Sequence, residues 1–300
     1  MKELGKGKTN SDQTGLIHLH QPEDWTYPAL LSSPHSGNYY SEEFLSQTNV
    51  AKKDLRQSED FLVDELFRSA LHQGAPMLNA LFPRAYCDVN RAAGELDPKM
   101  YDGPLPQPHS SHTSRVHAGL GVIPRRVHED TNLYDHLLPT EEATKRLKNC
   151  YYPYHQTLKQ LLKIGQELFH PLLLVDCHSM PGHRGNGRQR FYLADVVLGT
   201  RFRTSCPAHL LEFVGDAFRQ KGLTVAFDEP YAGGYITQTY SLPARSIFTL
   251  QIELNRDLYM LPGKLEKNSN FGSLQSSVEQ VLMSLKAYLK DMQPISRAAE

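Results

Sequence analysis

The sequence predicts an α/β protein built on a mostly parallel or mixed sheet with helices on both faces. Three observations carry that prediction. Runs such as Leu172-Leu173-Leu174-Val175 have strand length and no polar face, as in strands buried on both sides. Segments of helical periodicity separate these runs. The 300 residues, 40% of them hydrophobic, can bury a large core.

The elements follow in order. Residues 1–14 are polar, lack apolar periodicity and are expected to form a flexible tail, with one domain over 15–300. Tyr27–Ser33 reads as a short strand that Pro34-His35-Ser36-Gly37 breaks. From Ser58, the spacing of Phe61, Leu62, Leu66, Ala70 and Leu71 predicts a helix. Ser58 is its N-cap, Glu59 and Asp60 lie in a first turn that favours anions, and Gly74 ends it. Ala75–Leu81 resembles a strand, and Arg84–Arg91 leads out of another. The Gly-, Pro-, His- and Ser-rich stretch from Ala92 to about Tyr134 is too long for an idle connection and is expected to fold over a site.

A helix is predicted from about Thr140 to Phe169, kinked or divided at Pro153. It delivers the chain to the Leu172 strand. Pro181–Arg190 is a glycine-rich basic loop suited to an anion, although it lacks the pattern of a nucleotide-binding loop. Beyond it come a strand at Ala194–Leu198, a helix at Pro207–Lys221 and a strand at Leu223–Phe227. Gly233-Gly234-Tyr235-Ile236-Thr237, a strand at Ser246–Leu254 and a closing helix at Leu274–Met292 complete the chain.

Charge and cysteine usage narrow the partners. With 32 Lys+Arg against 33 Asp+Glu, no global field recruits nucleic acid or an anionic membrane. No apolar run approaches the roughly 18 residues of a membrane span, and the basic start Met1–Lys8 lacks the apolar segment of a secretory signal. A soluble, cytoplasmic protein acting on a small molecule is expected, and no feature indicates an oligomeric state. Cys87, Cys150, Cys177 and Cys206 are far apart without CxxC spacing, so reduced thiols are expected.

The chemistry centres on two histidines. His178 and His35 both stand where a strand gives way to a loop, the usual address of α/β chemistry. A lone histidine is more often a surface or core residue; the pair suggests one metal or catalytic site. A hydrolytic zinc site offers three protein ligands and an open position. Asp60 is the best placed third ligand, with Asp64 and Glu65 as alternatives, although first-turn carboxylates often only cap a helix. Glu253 interrupts an apolar, β-rich run, where a charge needs a partner. The alternation of Phe248, Leu250, Ile252 and Leu254 puts Gln251 and Glu253 on the opposite face, where Glu253 can serve as a general base unless that face meets solvent. Arg84, Arg91, Arg188 and Arg190 are candidates to grip a substrate carboxylate, a role most surface arginines do not have.

Several segments together resemble the N-formylglutamate amidohydrolase family. They are Ser33-Pro34-His35-Ser36-Gly37, Ser58-Glu59-Asp60, Arg84-Ala85-Tyr86-Cys87-Asp88-Val89-Asn90-Arg91, Pro153-Tyr154-His155, Asp176-Cys177-His178-Ser179, Gly234-Tyr235-Ile236-Thr237 and Leu250-Gln251-Ile252-Glu253-Leu254, in the family's order over about residues 28 to 262. The resemblance implies a zinc-dependent amidohydrolase with the three-layer α/β/α sandwich of the zinc carboxypeptidase class. His35 and His178 match its metal histidines, Asp60 the acidic position between them and Glu253 the carboxylate that activates water. Arg84, Asp88, Asn90 and Arg91 fall in its signature segment, and Thr237 in a further motif of the substrate side. Carboxypeptidases pair the first histidine with a glutamate as HxxE; Asn38 stands there instead, which leaves the carboxylate ligand open.

The expected reaction is hydrolysis of an N-formyl or N-acyl amino acid, with N-formyl-L-glutamate as the leading substrate. Zn²⁺ would be held by His35, Asp60 and His178, although another divalent transition metal suits the same donors. Glu253 would relay the proton, and Arg84 or Arg91 would stabilise the substrate carboxylate or the oxyanion. Trimming of a peptide or peptidoglycan fragment would use the same site, and two rivals of other kinds are a binding protein holding an acidic ligand through Arg188 and Arg190, and a thiol hydrolase using Cys177.

Overall fold

The computed structural model describes residues 9–11, 15–128, 131–184 and 191–294. Its main sheet has eight strands: β1 (Thr9–Ser11), β2 (Ile17–His20), β3 (Ala29–Ser33), β4 (Met77–Ala80), β5 (Leu172–Met180), β6 (Val196–Gly199), β7 (Val225–Phe227) and β8 (Ile247–Asn255). They lie in the order β1-β2-β4-β3-β5-β8-β6-β7. The central run β4-β3-β5-β8 is parallel, while β1-β2, β2-β4 and β8-β6 pair antiparallel. This is the mixed, largely parallel sheet expected from the buried apolar runs, with helices on both faces.

Period-2 alternation sorts the residues of β5 between two cores. Leu173, Val175 and Cys177 pack with Leu250, Ile252 and Leu254 of β8 against the helices Val63–Leu66, Ala208–Arg219 and Phe271–Asp291. Leu172 and Leu174 face the other way, beneath the helix Tyr152–Leu168. All are fully buried, and each such side chain contributes about 1.5–3 kcal/mol of burial free energy. Continuing along that second face, β5 presents Asp176 and His178. β8 runs in register beside it, Gln251 opposite Asp176 and Glu253 opposite His178. One sheet face therefore changes from apolar to ionisable as it emerges from beneath its helix. Because β3, β4, β5 and β8 are parallel, the residues that follow all four collect at the same edge.

Three differences from expectation, and one expected break, have local causes. Thr9–Ser11, inside the stretch expected as a tail, pairs with His18–His20 as an edge strand; ladder bonds use the backbone and need no apolar pattern. The helix expected from Ser58 is instead a 3₁₀ turn, Arg56–Ser58, then two one-turn helices, Val63–Leu66 and Ser69–His72. Leu62 takes a left-handed φ of 55° between them and the Ser58 hydroxyl binds the Leu55 carbonyl, so Asp60 stands outside any helix. Gly74, at φ 93°, ends this region as expected. Arg84–Arg91 leaves β4 as turns rather than from a strand of its own, because Pro83 lacks a ladder N–H and the Asp88 N–H is committed to Val122. The predicted Thr140–Phe169 helix is divided near Pro153: Thr140–Arg146 passes through a π turn, Leu147–Tyr151, into Tyr152–Leu168. The wider turn accommodates a proline that would clash with the carbonyl four residues back. No helix among the described residues is long and apolar enough to cross a membrane.

Candidate metal centre

His35 leaves β3 just past Ser33, and the Asp60 N–H donates to the His35 carbonyl at 3.0 Å. The Ser36 hydroxyl donates to the Asp60 carbonyl at 3.0 Å. These bonds explain why Asp60 does not start a helix: its backbone is tied to the end of β3, which turns its carboxylate toward β5. There Asp60 Oδ2 lies 2.9 Å from His178 Nδ1 and 3.5 Å from His35 Nδ1. One donor atom from each of the three residues falls within 4.8 Å of the others, and all three residues are buried.

The far side of each imidazole meets a carboxylate. His35 Nε2 is 2.7 Å from Asp88 Oδ1, and His178 Nε2 is 3.0 Å from Asp176 Oδ2. A proton held on Nε2 by these partners leaves the Nδ1 lone pair free to face inward, the arrangement that orients metal-ligating histidines. His35 Nδ1 is buried without a hydrogen-bond partner. An orphaned buried nitrogen is costly, and a cation among these three donors would satisfy it. The donor set fits a divalent metal.

The carboxylates are anchored in turn. Asp176 Oδ1 accepts from the Ser32 hydroxyl at 3.1 Å, and that hydroxyl is 2.8 Å from Tyr154 Oη. Asp60 Oδ1 accepts from Arg256 Nη2 at 3.0 Å, and Arg256 also donates to Ser179 Oγ and the Gln57 carbonyl. Asn90 sets its Nδ2 3.1 Å from His178 Nε2, while its Oδ1 accepts from the Ile236 N–H at 2.8 Å.

Charge follows from these contacts. Burial alone would raise the Asp60 carboxyl, yet His178 and His35 hold it well below the usual carboxylate range. Burial would lower His178, but Asp176 and Asp60 push it well above an ordinary imidazole. Asp88, likewise buried, is held low by Arg84, Arg91 and His35. Glu253 differs: burial raises its carboxyl to about 7, with His178 opposing. Its Oε1 accepts from Gln251 Nε2 at 2.8 Å, and Gln251 Oε1 accepts from the Gly234 N–H.

His35, Asp60, His178 and Glu253 line one cavity of about 760 Å³ together with Arg84, Asp88, Asn90 and Arg91. Asp64 and Glu65 point elsewhere, toward Arg68 and Lys267, which removes them as alternatives to Asp60. Arg91 is spent on backbone: it donates to the Leu120 and Asn90 carbonyls and stands 3.7 Å from Asp88. Thr237 is fully buried in the Tyr235–Tyr240 helix, packed against Gly233, and does not reach the cavity wall. The substrate role expected of it does not fit that position, because its side chain is fully buried in protein. Arg188 and Arg190 lie outside the described residues. Cys177 faces the opposite core, and burial pushes its thiol well above the usual value, so Cys177 offers no thiolate to this cavity. Expectation missed Asp176, although it is two residues before His178 and shares its face by strand alternation. Arg256 carried no signal separable from ordinary polar residues, and Gln251 was placed on the Glu253 face without a role. The Ala92–Tyr134 stretch contributes Arg115, Leu120, Pro124, Arg126 and Val127 to the cavity wall, in keeping with a segment folded over the site.

Comparison with known proteins agrees with this arrangement. Residues 27–260 match the family model described as N-formylglutamate amidohydrolase. An N-formylglutamate deformylase of Pseudomonas putida is 30% identical over 251 residues, covering 82% of this chain and 85% of the relative. One of Pseudomonas aeruginosa is 28% identical over 239 residues, covering 78% and 82%. The crystal structure of an N-formylglutamate amidohydrolase from Ralstonia eutropha JMP134 superposes with a TM-score of 0.86 at 33% identity, over 92% of this chain and 99% of that one.

Proposed function

Because the chain belongs to the N-formylglutamate amidohydrolase family, we propose that it is a metal-dependent amidohydrolase that cleaves N-formyl-L-glutamate to formate and L-glutamate. The observation that carries the metal dependence is the inward convergence of His35 Nδ1, Asp60 Oδ2 and His178 Nδ1, with the first left unpaired. Two imidazoles and one carboxylate suit Zn²⁺ with one position left open. Bound there, the ion would supply Lewis acidity toward the formyl carbonyl and water.

The remaining steps belong to the chain. Glu253 is opposite His178 on the same sheet face, and a carboxyl near 7 is matched to accepting a proton from water at neutral pH. Gln251 leaves one carboxylate oxygen of Glu253 for that proton. Glu253 then passes the proton to the departing amine, which leaves as glutamate. Among the described residues Arg84 bonds Asp88 through its Nε, at 3.0 Å, and would offer its Nη groups to the substrate carboxylate or the developing oxyanion. Formate release across a panel of N-formyl and N-acetyl amino acids, with and without chelator, tests the reading. Chelator-sensitive activity led by N-formyl-L-glutamate supports it; preference for another acyl amino acid renames the substrate, and inertness to the whole panel refutes the reaction.

A further inference from the structure

The arginines around the cavity are not equivalent. Arg91 lies deepest in protein contacts, its guanidinium donating to two backbone carbonyls. One of those carbonyls belongs to Leu120, whose own N–H donates to the Arg115 carbonyl at 2.8 Å. Arg91 thus braces the turn that carries Arg115. That turn is the short helix Ser114–His117, capped by Thr113 Oγ1 on the Val116 N–H and pinned by buried Val116.

Arg115 lines the same cavity as the metal triad, and among the described residues its guanidinium has no carboxylate partner. It lies close enough to Arg91 for the two like charges to repel. Two neighbouring guanidiniums with one of them unpaired hold a standing cost that an anion would relieve. Arg84 is within the electrostatic reach of Asp60, Asp88 and Glu253 and bonds Asp88, whereas Arg115 lines the same cavity without such a partner among the described residues. A ligand with an amide at the triad and an anionic group elsewhere in the same cavity would meet Arg115.

We propose that Arg115 binds the distal carboxylate of the substrate and so restricts the cavity to N-formyl amino acids with an acidic side chain. This rests on the amidohydrolase reading above and adds to it the residue that selects the side chain. Lys264 also lines the cavity and serves as the control.

The test compares kcat/KM for N-formyl-L-glutamate and its neutral isostere N-formyl-L-glutamine in the metal-loaded wild type, Arg115→Met, Arg115→Lys and Lys264→Met. Binding of glutarate against butyrate is measured in parallel and needs no turnover. Arg115→Met should lower kcat/KM for the glutamate substrate about 10- to 100-fold, chiefly through KM, the range lost with a hydrogen-bonded charge. The glutamine substrate should be little affected, and Arg115→Lys should keep part of the preference. Glutarate should bind more tightly than butyrate only while residue 115 is cationic. Equal losses on both substrates, or a preference that survives Arg115→Met and disappears in Lys264→Met, would overturn the proposal. A wild type that hydrolyses neither substrate but holds glutarate through Arg115 refutes the amidohydrolase reading and leaves the carboxylate site standing. A wild type with no preference for glutarate and none for the acidic substrate overturns this proposal.

Discussion

His35 and His178 each meet a carboxylate on the outer nitrogen, and these contacts lead to a prediction. Asp176→Asn preserves size but weakens the hold on His178 Nε2, so zinc affinity should fall about 10- to 100-fold in competition with a chromophoric chelator. Unchanged affinity would limit Asp176 to a packing role. Glu253 gives a pH signature in the metal-free protein. Its carboxyl is raised from 4.5 to about 7, so the stability it allows is fully present below pH 4.5 and is lost as pH rises through about 7. The full shift is on the order of 3 kcal/mol. Urea melts of chelator-treated protein should therefore show Glu253→Gln gaining on wild type between pH 5 and pH 8; a difference independent of pH would contradict this cause. His35, His178 and Glu253 were legible because each breaks a strand or an apolar run. Asp176 was legible in principle, since a period of two places it beside His178. Arg256 was not, because its partner Asp60 is 196 residues away and only the fold joins them.

At the scale of elements, the buried parallel strands were readable, whereas the outer strands β1 and β2 and the short helices were not. Strands β3, β5 and β8 announce themselves through continuous apolar runs, and their alternation assigned Gln251 and Glu253 to the correct face. The region after Ser58 has a helical spacing of apolar residues, yet the bond from the Asp60 N–H to the His35 carbonyl and the left-handed Leu62 divide it. Tertiary contacts decide a one-turn helix, whose few internal bonds cannot resist them. Gly234 offers a test of how one such element supports the site. A Cβ there would overlap the Asn90 carboxamide, which abuts His178 and caps the Ile236 N–H. Gly234→Ala should cost about 1–3 kcal/mol of stability and reduce activity. Adding Asn90→Ala should recover part of the stability loss in a double-mutant cycle, whereas strict additivity would place the strain elsewhere.

Across the whole molecule, four parallel strands deliver chemistry from distant parts of the chain to one edge, and residues between Arg115 and Val127 add to the cavity wall there. The general plan was visible in the order of apolar runs, while the edge that carries the site depended on strand order and direction, which pairing sets. The His35–Asp60–His178 centre is proposed to hold the ion on which hydrolysis depends. The most direct measurement strips the protein with chelator, titrates zinc back and follows formate released from N-formyl-L-glutamate. Activity should vanish on stripping and return in proportion to zinc up to about one ion per chain, as expected for a three-donor centre with one open position, and should not return in His178→Ala. Full activity in the stripped protein, or equal recovery in His178→Ala, would contradict that claim.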